Sequence, residues 1–501
     1  MSGKTAPNEE VSLKITIRDF GPIARGQVEL RPLTLFVGPN NSGKSYAAML
    51  LHAVFEACCP LGAGRPSPWV GNGPFPFLVW LDAQSLRFGE ATRIRIPEAG
   101  EEVAVNPETV RRLSVGALKQ VWGVGLSVEI SRSLGCPLSE LARIGKRTFS
   151  VGMESRKYAA EAVYDKKQQL RLAEHRTDAI DVRLRGSDPG RSAFTVEEKG
   201  AGTYVMSVPS SKASQPRAPS TELLAADLVY QLIASLVLKS TARPCYYLPA
   251  ARSGILQAHR ALAAGVVRRS SYIGAEPLEI PPFPGAVADF VSTLLTLPED
   301  KKHFYPLAQR VENDLVGGEI TVRRTERNLP GEIVYRFRGV DIPLHRSSST
   351  VSEFAPLALY LKHVVEPGSV LIIEEPEAHL HPHNQRIMAK LLVELVRNGV
   401  YVAVTTHSDW LIQQLTSFLM LANVRPAARQ AKFGYPRDLY LRPEDVGAYV
   451  FAYDGRSRAY KIRAIEVTDE GIPEDEFMRI HEALYDEMIQ IERHAARRRA
   501  E

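Results

Sequence analysis

The stretch Gly38-Pro39-Asn40-Asn41-Ser42-Gly43-Lys44-Ser45 constrains the fold of this chain more than any other. It stands between a short apolar run at 33–37 and an apolar, helix-forming run at 46–57. A buried strand, a glycine loop and a helix in that order are the context in which GxxxxGK[ST] acquires chemical meaning. Glycines let successive backbone N–H groups converge on phosphate oxygens, and the positive end of the following helix adds to the attraction. The reading therefore assigns nucleotide binding to Gly38, Asn40, Asn41, Ser42, Gly43, Lys44, Ser45 and Tyr46. Lys44 is placed to reach the β- and γ-phosphates, and the Ser45 hydroxyl to ligate Mg²⁺. ATP and Mg²⁺ are the expected cofactors.

A second feature lies far downstream. The apolar run Val370-Leu371-Ile372-Ile373 ends in Glu374-Glu375-Pro376-Glu377. Two carboxylates thus leave the C-terminal edge of a buried strand, the edge at which open α/β sheets bind ligands. One carboxylate can hold Mg²⁺ while its neighbour polarises an attacking water. Glu374 is assigned to the metal and Glu375 to the water. One unit later, Val402-Ala403-Val404-Thr405-Thr406-His407 repeats the pattern with a polar strand end, and His407 reads as a γ-phosphate sensor. The nearby His379, His381 and His383 are expected to shape a turn and a helix start rather than to bind metal.

The last third of the chain keeps a βα rhythm. Helices are predicted at 352–365, 384–397 and 409–421, with strands at 369–373 and 400–405, which implies a parallel sheet covered by helices. Strands are also predicted at 13–17, 27–30, 33–37 and 245–248, helix over 285–315, strands within 318–346, 438–453 and 459–467, and helices at 107–120, 221–239 and 474–493. Residues 60–76 are rich in Pro and Gly, and 209–220 read as a loop. The expected organisation is an N-terminal part of an ATPase core (1–59), an inserted α+β subdomain (60–220), the C-terminal part of the core (221–436), and C-terminal strands and helix (437–501) serving as a partner or oligomer contact.

Composition narrows the setting. No apolar run reaches the roughly 18 to 20 residues that span a bilayer, and the start lacks the apolar stretch of a signal peptide. A cytoplasmic protein without membrane contact is expected. Cys58, Cys59, Cys136 and Cys245 contain no CxxC, which argues against a zinc site and suits buried small apolar side chains. The net charge of +5 comes from 45 Arg and 17 Lys against 57 acids. That balance is compatible with phosphate contacts but does not require them.

Taken together, the strands before Gly-Pro-Asn-Asn-Ser-Gly-Lys-Ser, the run 372–382 (Ile-Ile-Glu-Glu-Pro-Glu-Ala-His-Leu-His-Pro) and Thr-Thr-His-Ser at 405–408 resemble the ABC-type ATPases of the RecF, SMC and OLD-like group. The resemblance implies an α/β P-loop NTPase fold of ABC-ATPase type: a mostly parallel sheet flanked by helices, with a large α+β insertion. It also locates a signature segment at 347–353, Ser-Ser-Ser-Thr-Val-Ser-Glu, with Thr350 where the family has glycine. By resemblance Ser348, Ser349 and Glu353 act in trans on a nucleotide held by a twin subunit, in a head-to-tail dimer or higher homo-oligomer. From the residues alone, the N-terminus of a helix beginning near Ser352 is an anion site, and Thr350 with Glu353 fits a capping box. The segment 246–254, Tyr-Tyr-Leu-Pro-Ala-Ala-Arg-Ser-Gly, looks like one found in ATPase subunits of antiphage systems of the PARIS, Septu and retron-associated types. Arg252 is then either near the nucleotide or a structural ion-pair partner.

The expected function is an ATP-hydrolysing switch of an antiphage defence complex that controls a separately encoded effector, often a nuclease. The alternative is a RecF-like DNA-maintenance ATPase, in which the protein contacts DNA directly. A transporter ATPase subunit fits less well, and a small-molecule kinase least. Only 94 residues follow His407, too few for a nuclease domain beside the elements that close the core.

Overall fold

The computed structural model describes residues 13–58, 101–165, 169–178, 180, 182–186, 193–198, 202–207, 229–230, 233–234, 237–238, 241–257, 283–323, 331–473, 486–489 and 491. Two compact units divide the chain. Gly21–Met49 and Tyr246–Glu501 belong to one, Leu50–Cys245 with the strand Leu13–Phe20 to the other.

The first unit is organised by a sheet whose strand order is Cys245–Leu248, Val370–Glu374, Tyr401–Thr406, Leu33–Val37, Val446–Asp454, Ala459–Ile465, Ile23–Leu30. Val370–Glu374, Tyr401–Thr406, Leu33–Val37 and Val446–Asp454 run parallel. Ala459–Ile465 returns antiparallel to Val446–Asp454. Leu33–Val37, Val370–Glu374 and Tyr401–Thr406 are buried at every position. Continuous apolar runs of this kind belong to parallel strands covered on both faces. The covering helices are amphipathic or buried nearly all round: Ser349–His363 is buried from Val351 to Lys362, and Pro382–Arg397 buries Met388, Leu391, Leu392 and Leu395. A three-stranded antiparallel sheet, Glu319–Arg323, Glu332–Phe337 and Val340–Pro343, completes the unit among the described residues.

Register decides where the chemistry falls. Glu374 pairs with Thr405, and Thr405 with Phe36. The acidic strand, the strand ending at Thr406 and the strand feeding the glycine loop therefore finish at the same edge, within one residue step of each other. Connections between such parallel strands need crossovers, and the helices Pro382–Arg397 and Lys44–Cys58 lie in that position in the chain.

The second unit has an antiparallel sheet of Leu13–Phe20, Phe149–Glu154, Tyr158–Tyr164 and Leu170–Thr177. A smaller one contains Gly202–Ser207, Ala193–Glu198, Val182–Gly186 and Glu102–Ala104. Helix Pro107–Lys119 begins under the Asn106 side chain, which accepts from the Glu108 N–H at 2.8 Å, and passes through a π turn, Gln120–Gly125, into Leu126–Leu134. These elements are α+β, as expected for the insertion.

Several boundaries moved. The helix expected over 285–315 is two, Gly285–Leu295 and Tyr305–Val316, because Pro298 disfavours helix at Leu297, while Pro306 sits in the first turn of the second helix, where proline is tolerated. The helix expected from Ser352 starts at Ser349, since Ser348 supplies the cap. The strand expected from residue 438 starts at Val446, because Pro443–Asp445 forms a 3₁₀ turn first. Of the helix read over 221–239, the described residues 229–230, 233–234 and 237–238 are helical and buried. The runs 60–76 and 209–220, Cys59, the charged tail 493–499 and most of the helix at 474–493 lie outside the described residues. Cys58 and Cys245 are buried and Cys136 is partly so. No helix among the described residues is long and apolar enough to cross a membrane.

Candidate functional site

The glycine loop has the conformation its residues impose. Gly38 has φ +145°, and a Cβ there would sit 2.9 Å from the Phe451 carbonyl oxygen. Gly43 has φ +101°, and its Cβ would meet the Pro22 ring at 2.8 Å. An L side chain is excluded at both by sterics and by backbone strain. Between them Asn41 takes φ +61°, a conformation asparagine tolerates. The helix starts at Lys44, so the free N–H groups of its first turn face the loop. Ser42 is buried, and its Oγ has no hydrogen-bond partner. Ser45 and Tyr46 are exposed in the first turn.

Lys44 is 6% exposed and donates through Nζ to the carbonyls of Gly38 and Pro39, 2.8 Å each. Burial lowers its pKa to about 8, against the pull of Glu375, Glu374 and Glu377. The ammonium is thus held by its own loop and sits within the field of the acidic strand end. This juxtaposition joins the two sequence features at one place.

The three acids have different environments. Glu374 is buried, and its Oε2 accepts from the Ala250 N–H at 3.3 Å. Burial raises its pKa, although the Ser45 and Tyr247 hydroxyls draw it back. Its other oxygen, Oε1, has no hydrogen-bond partner. A buried carboxylate oxygen without a donor is costly unless a cation completes it. With the Ser45 hydroxyl nearby, this hard oxygen pair fits Mg²⁺.

Glu375 leaves the strand with φ +44°, and its N–H donates to the Thr405 carbonyl at 2.9 Å and to Thr405 Oγ1 at 3.3 Å. Its side chain is 41% exposed, and Oε1 lies 3.7 Å from His407 Nε2. Glu377 turns back to the neighbouring strand end. Its Oε1 accepts from Thr406 Oγ1 at 2.7 Å and from the His407 N–H at 2.9 Å, and burial raises its pKa. Burial and the charge of Lys44 lower the pKa of His407, despite Glu375. Near neutral pH the imidazole is therefore neutral, able to donate from one nitrogen and accept at the other.

The histidine cluster has another job. The His379 carbonyl accepts from Thr350 Oγ1 at 3.1 Å, and His381 Nδ1 accepts from the His383 N–H at 3.3 Å where the helix Pro382–Arg397 begins. Among the described residues no group of three His, Cys, Asp or Glu side chains is arranged to hold a metal.

The segment 347–353 departs from its reading at two positions. Ser348 is the N-cap, accepting from the Val351 N–H at 3.4 Å, so the Thr350–Glu353 capping box does not form. Glu353, expected to act in trans with Ser348 and Ser349, is buried in its own chain, with Oε2 3.2 Å from Arg252 Nε. The reason is depth along the helix: Glu353 lies one turn in, where every position from Val351 to Lys362 is buried, whereas Ser348 and Ser349 at its start are exposed. Arg252 is 3% exposed, and the structure gives it the ion-pair role, with added contacts to the backbone. The sequence reading assigns Glu377 no role; the signal for it is a third acid two residues past Glu375, just after the turn-forming Pro376.

Residues 297–412 match the family described as AAA ATPase domain. The match includes the acidic strand and His407 but not the glycine loop. No curated protein matches the chain. Among solved structures, an SMC head bound to the C-winged helix domain of ScpA is 12% identical, with 91% of this chain and 98% of that one covered, at a TM-score of 0.36. The SMC head domain from Thermotoga maritima is 10% identical, covering 91% and 100%, at 0.30. The Smc head domain with an extended coiled coil bound to the C-terminal domain of ScpA, derived from Pyrococcus furiosus, is 11% identical, covering 95% and 99%, at 0.35. The strand, loop and helix around Lys44, the parallel sheet beside them and the ATPase-domain match define a P-loop ATPase fold carrying an insertion.

Proposed function

We propose that this chain is an ATP-hydrolysing switch. The observation that carries the reading is the register Glu374–Thr405–Phe36, which puts Lys44 and three carboxylates at one sheet edge. Phosphates bind over the loop 38–45, where N–H groups and the helix dipole face them. Lys44 exchanges the carbonyls of Gly38 and Pro39 for phosphate oxygens. Ser45 and Glu374 hold Mg²⁺, which when bound neutralises charge developing on the phosphates. Glu375, exposed and held by its backbone, accepts the proton of the attacking water. His407, neutral and 3.7 Å from Glu375, donates to the phosphoryl group.

Ser348 and Ser349, exposed at the start of a long helix, supply an anion-binding end for the nucleotide of a second copy, which makes a head-to-tail dimer or larger homo-oligomer the active form. The resemblance of 246–254 to a segment of antiphage ATPase subunits supports a role in defence, with hydrolysis governing a separately encoded effector such as a nuclease. A cytoplasmic setting suits the four cysteines, which contain no CxxC.

The test is Mg-ATP turnover by the purified chain. Glu375→Gln should keep ATP, lose turnover by about 100-fold or more, and accumulate as a paired species on sizing columns. Normal turnover in that variant would remove Glu375 as the base. Co-purification of a nuclease or toxin supports the defence role. DNA affinity that falls steeply with salt would instead favour DNA maintenance.

A further inference from the structure

Arg252 follows the strand Cys245–Leu248 and is enclosed on all sides. Its Nη1 donates to the Glu374 carbonyl at 2.7 Å and to the Pro249 carbonyl at 3.2 Å. Nη2 donates to the Glu375 carbonyl at 3.2 Å, and Nε to the Glu353 carbonyl at 3.2 Å while facing the Glu353 carboxylate. The other Glu353 oxygen accepts from Ser253 Oγ at 2.5 Å and from the Ser253 N–H at 3.3 Å. One rigid guanidinium fork therefore bridges the end of the acidic strand and the helix Ser349–His363.

Glu375 needs such support. A non-glycine residue at φ +44° is strained and persists only where its surroundings over-determine it. Its N–H is fixed by Thr405, and its carbonyl accepts from the Ala378 N–H at 3.0 Å and from Arg252. At the other end of the bridge, Glu353 belongs to the helix whose exposed first residues are Ser348 and Ser349.

We infer that Arg252 is a positioning residue. It ties the helix headed by Ser348 and Ser349 to the carbonyls of Glu374 and Glu375, so that engagement of the helix end by a second copy sets the aim of the Glu375 carboxylate. The inference rests on the ATPase reading above and adds to it a route from the subunit contact to the base.

The decisive variant is Arg252→Lys in the full chain. Lysine keeps the charge that Glu353 requires, but its ammonium cannot span four carbonyls as the planar fork does. Turnover should fall about 100-fold, the scale of a misplaced catalytic group, with the Kd for radiolabelled Mg-ATP within about threefold of wild type. A residue that merely maintained the fold would change binding and turnover together. Ser253→Ala removes one anchor of Glu353 at a partly exposed position, and should lower kcat severalfold with Kd unchanged; it decides the matter if Arg252→Lys does not fold. Wild-type kcat in a folded Arg252→Lys, a parallel loss of ATP binding, or wild-type kcat in Ser253→Ala would overturn the inference. Failure of the broader reading is distinguishable, because then the wild-type chain itself would not hydrolyse ATP and both would fall.

Discussion

The two halves of the site are built from different materials. The loop 38–45 is a backbone construction: eight consecutive residues, two glycines forced by neighbouring atoms, and a lysine resting on its own loop's carbonyls. The acidic half is a side-chain construction drawn from separated segments, with Arg252, Glu353, Glu374, Glu375, Glu377, Thr405 and Thr406 holding one another. Backbone N–H groups offer a fixed surface for an anion. Buried carboxylates and a guanidinium set the position and charge of a base. The first half should therefore govern binding and the second turnover.

That division can be broken by experiment. Lys44→Ala should abolish measurable ATP binding, an effect of at least about 100-fold in Kd, since a charge-assisted contact and its electrostatic share are both lost. If binding survived, the loop's backbone alone would suffice. Glu377→Gln should lower turnover about tenfold while sparing Kd, because the amide accepts less strongly from Thr406 Oγ1 and the His407 N–H. A change confined to Kd would assign Glu377 to the binding half.

The pH dependence of affinity is smaller in scale. Free Lys44 has a pKa of about 8, and bound phosphates raise it. Below that value Lys44 carries its proton in both states, so affinity is flat; above it, binding must recover a proton, and affinity falls as pH rises. Titration calorimetry across that range checks the sign, and an affinity that stayed level would show that Lys44 is not the group engaged. Ser348→Ala has the least expected effect on stability, about 1 kcal/mol for a lost N-cap. If Ser348 also serves the nucleotide of a second copy, hydrolysis should fall further at protein concentrations where copies pair; an unchanged rate would leave it a cap alone.

Legibility followed the same division. The glycine loop, its strand and its helix could be read directly, because their chemistry is contiguous and the strand period and helix period change at the loop. Glu374 and Glu375 were legible as a pair at the end of an apolar run. Their unequal burial was not, because strict alternation predicts opposite faces, whereas Glu375 leaves the strand in a left-handed conformation. Arg252 could be flagged but not assigned, since its partners Glu353, Glu374 and Glu375 lie about a hundred residues downstream. Glu353 shows the converse: adjacency groups it with Ser348 and Ser349, but it lies one turn into a helix that is buried at every position from Val351 to Lys362.

Local rules thus determined the parts. Sterics at Gly38 and Gly43, an apolar run long enough for one buried strand, and acids placed just past it are properties of short segments, and they survive whatever packs around them. Tertiary structure alone decided which acid is enclosed, which is free to meet water, and that an arginine from a third segment fastens both to a helix. Those outcomes depend on strand register and on burial, and both are set by residues far apart in the chain.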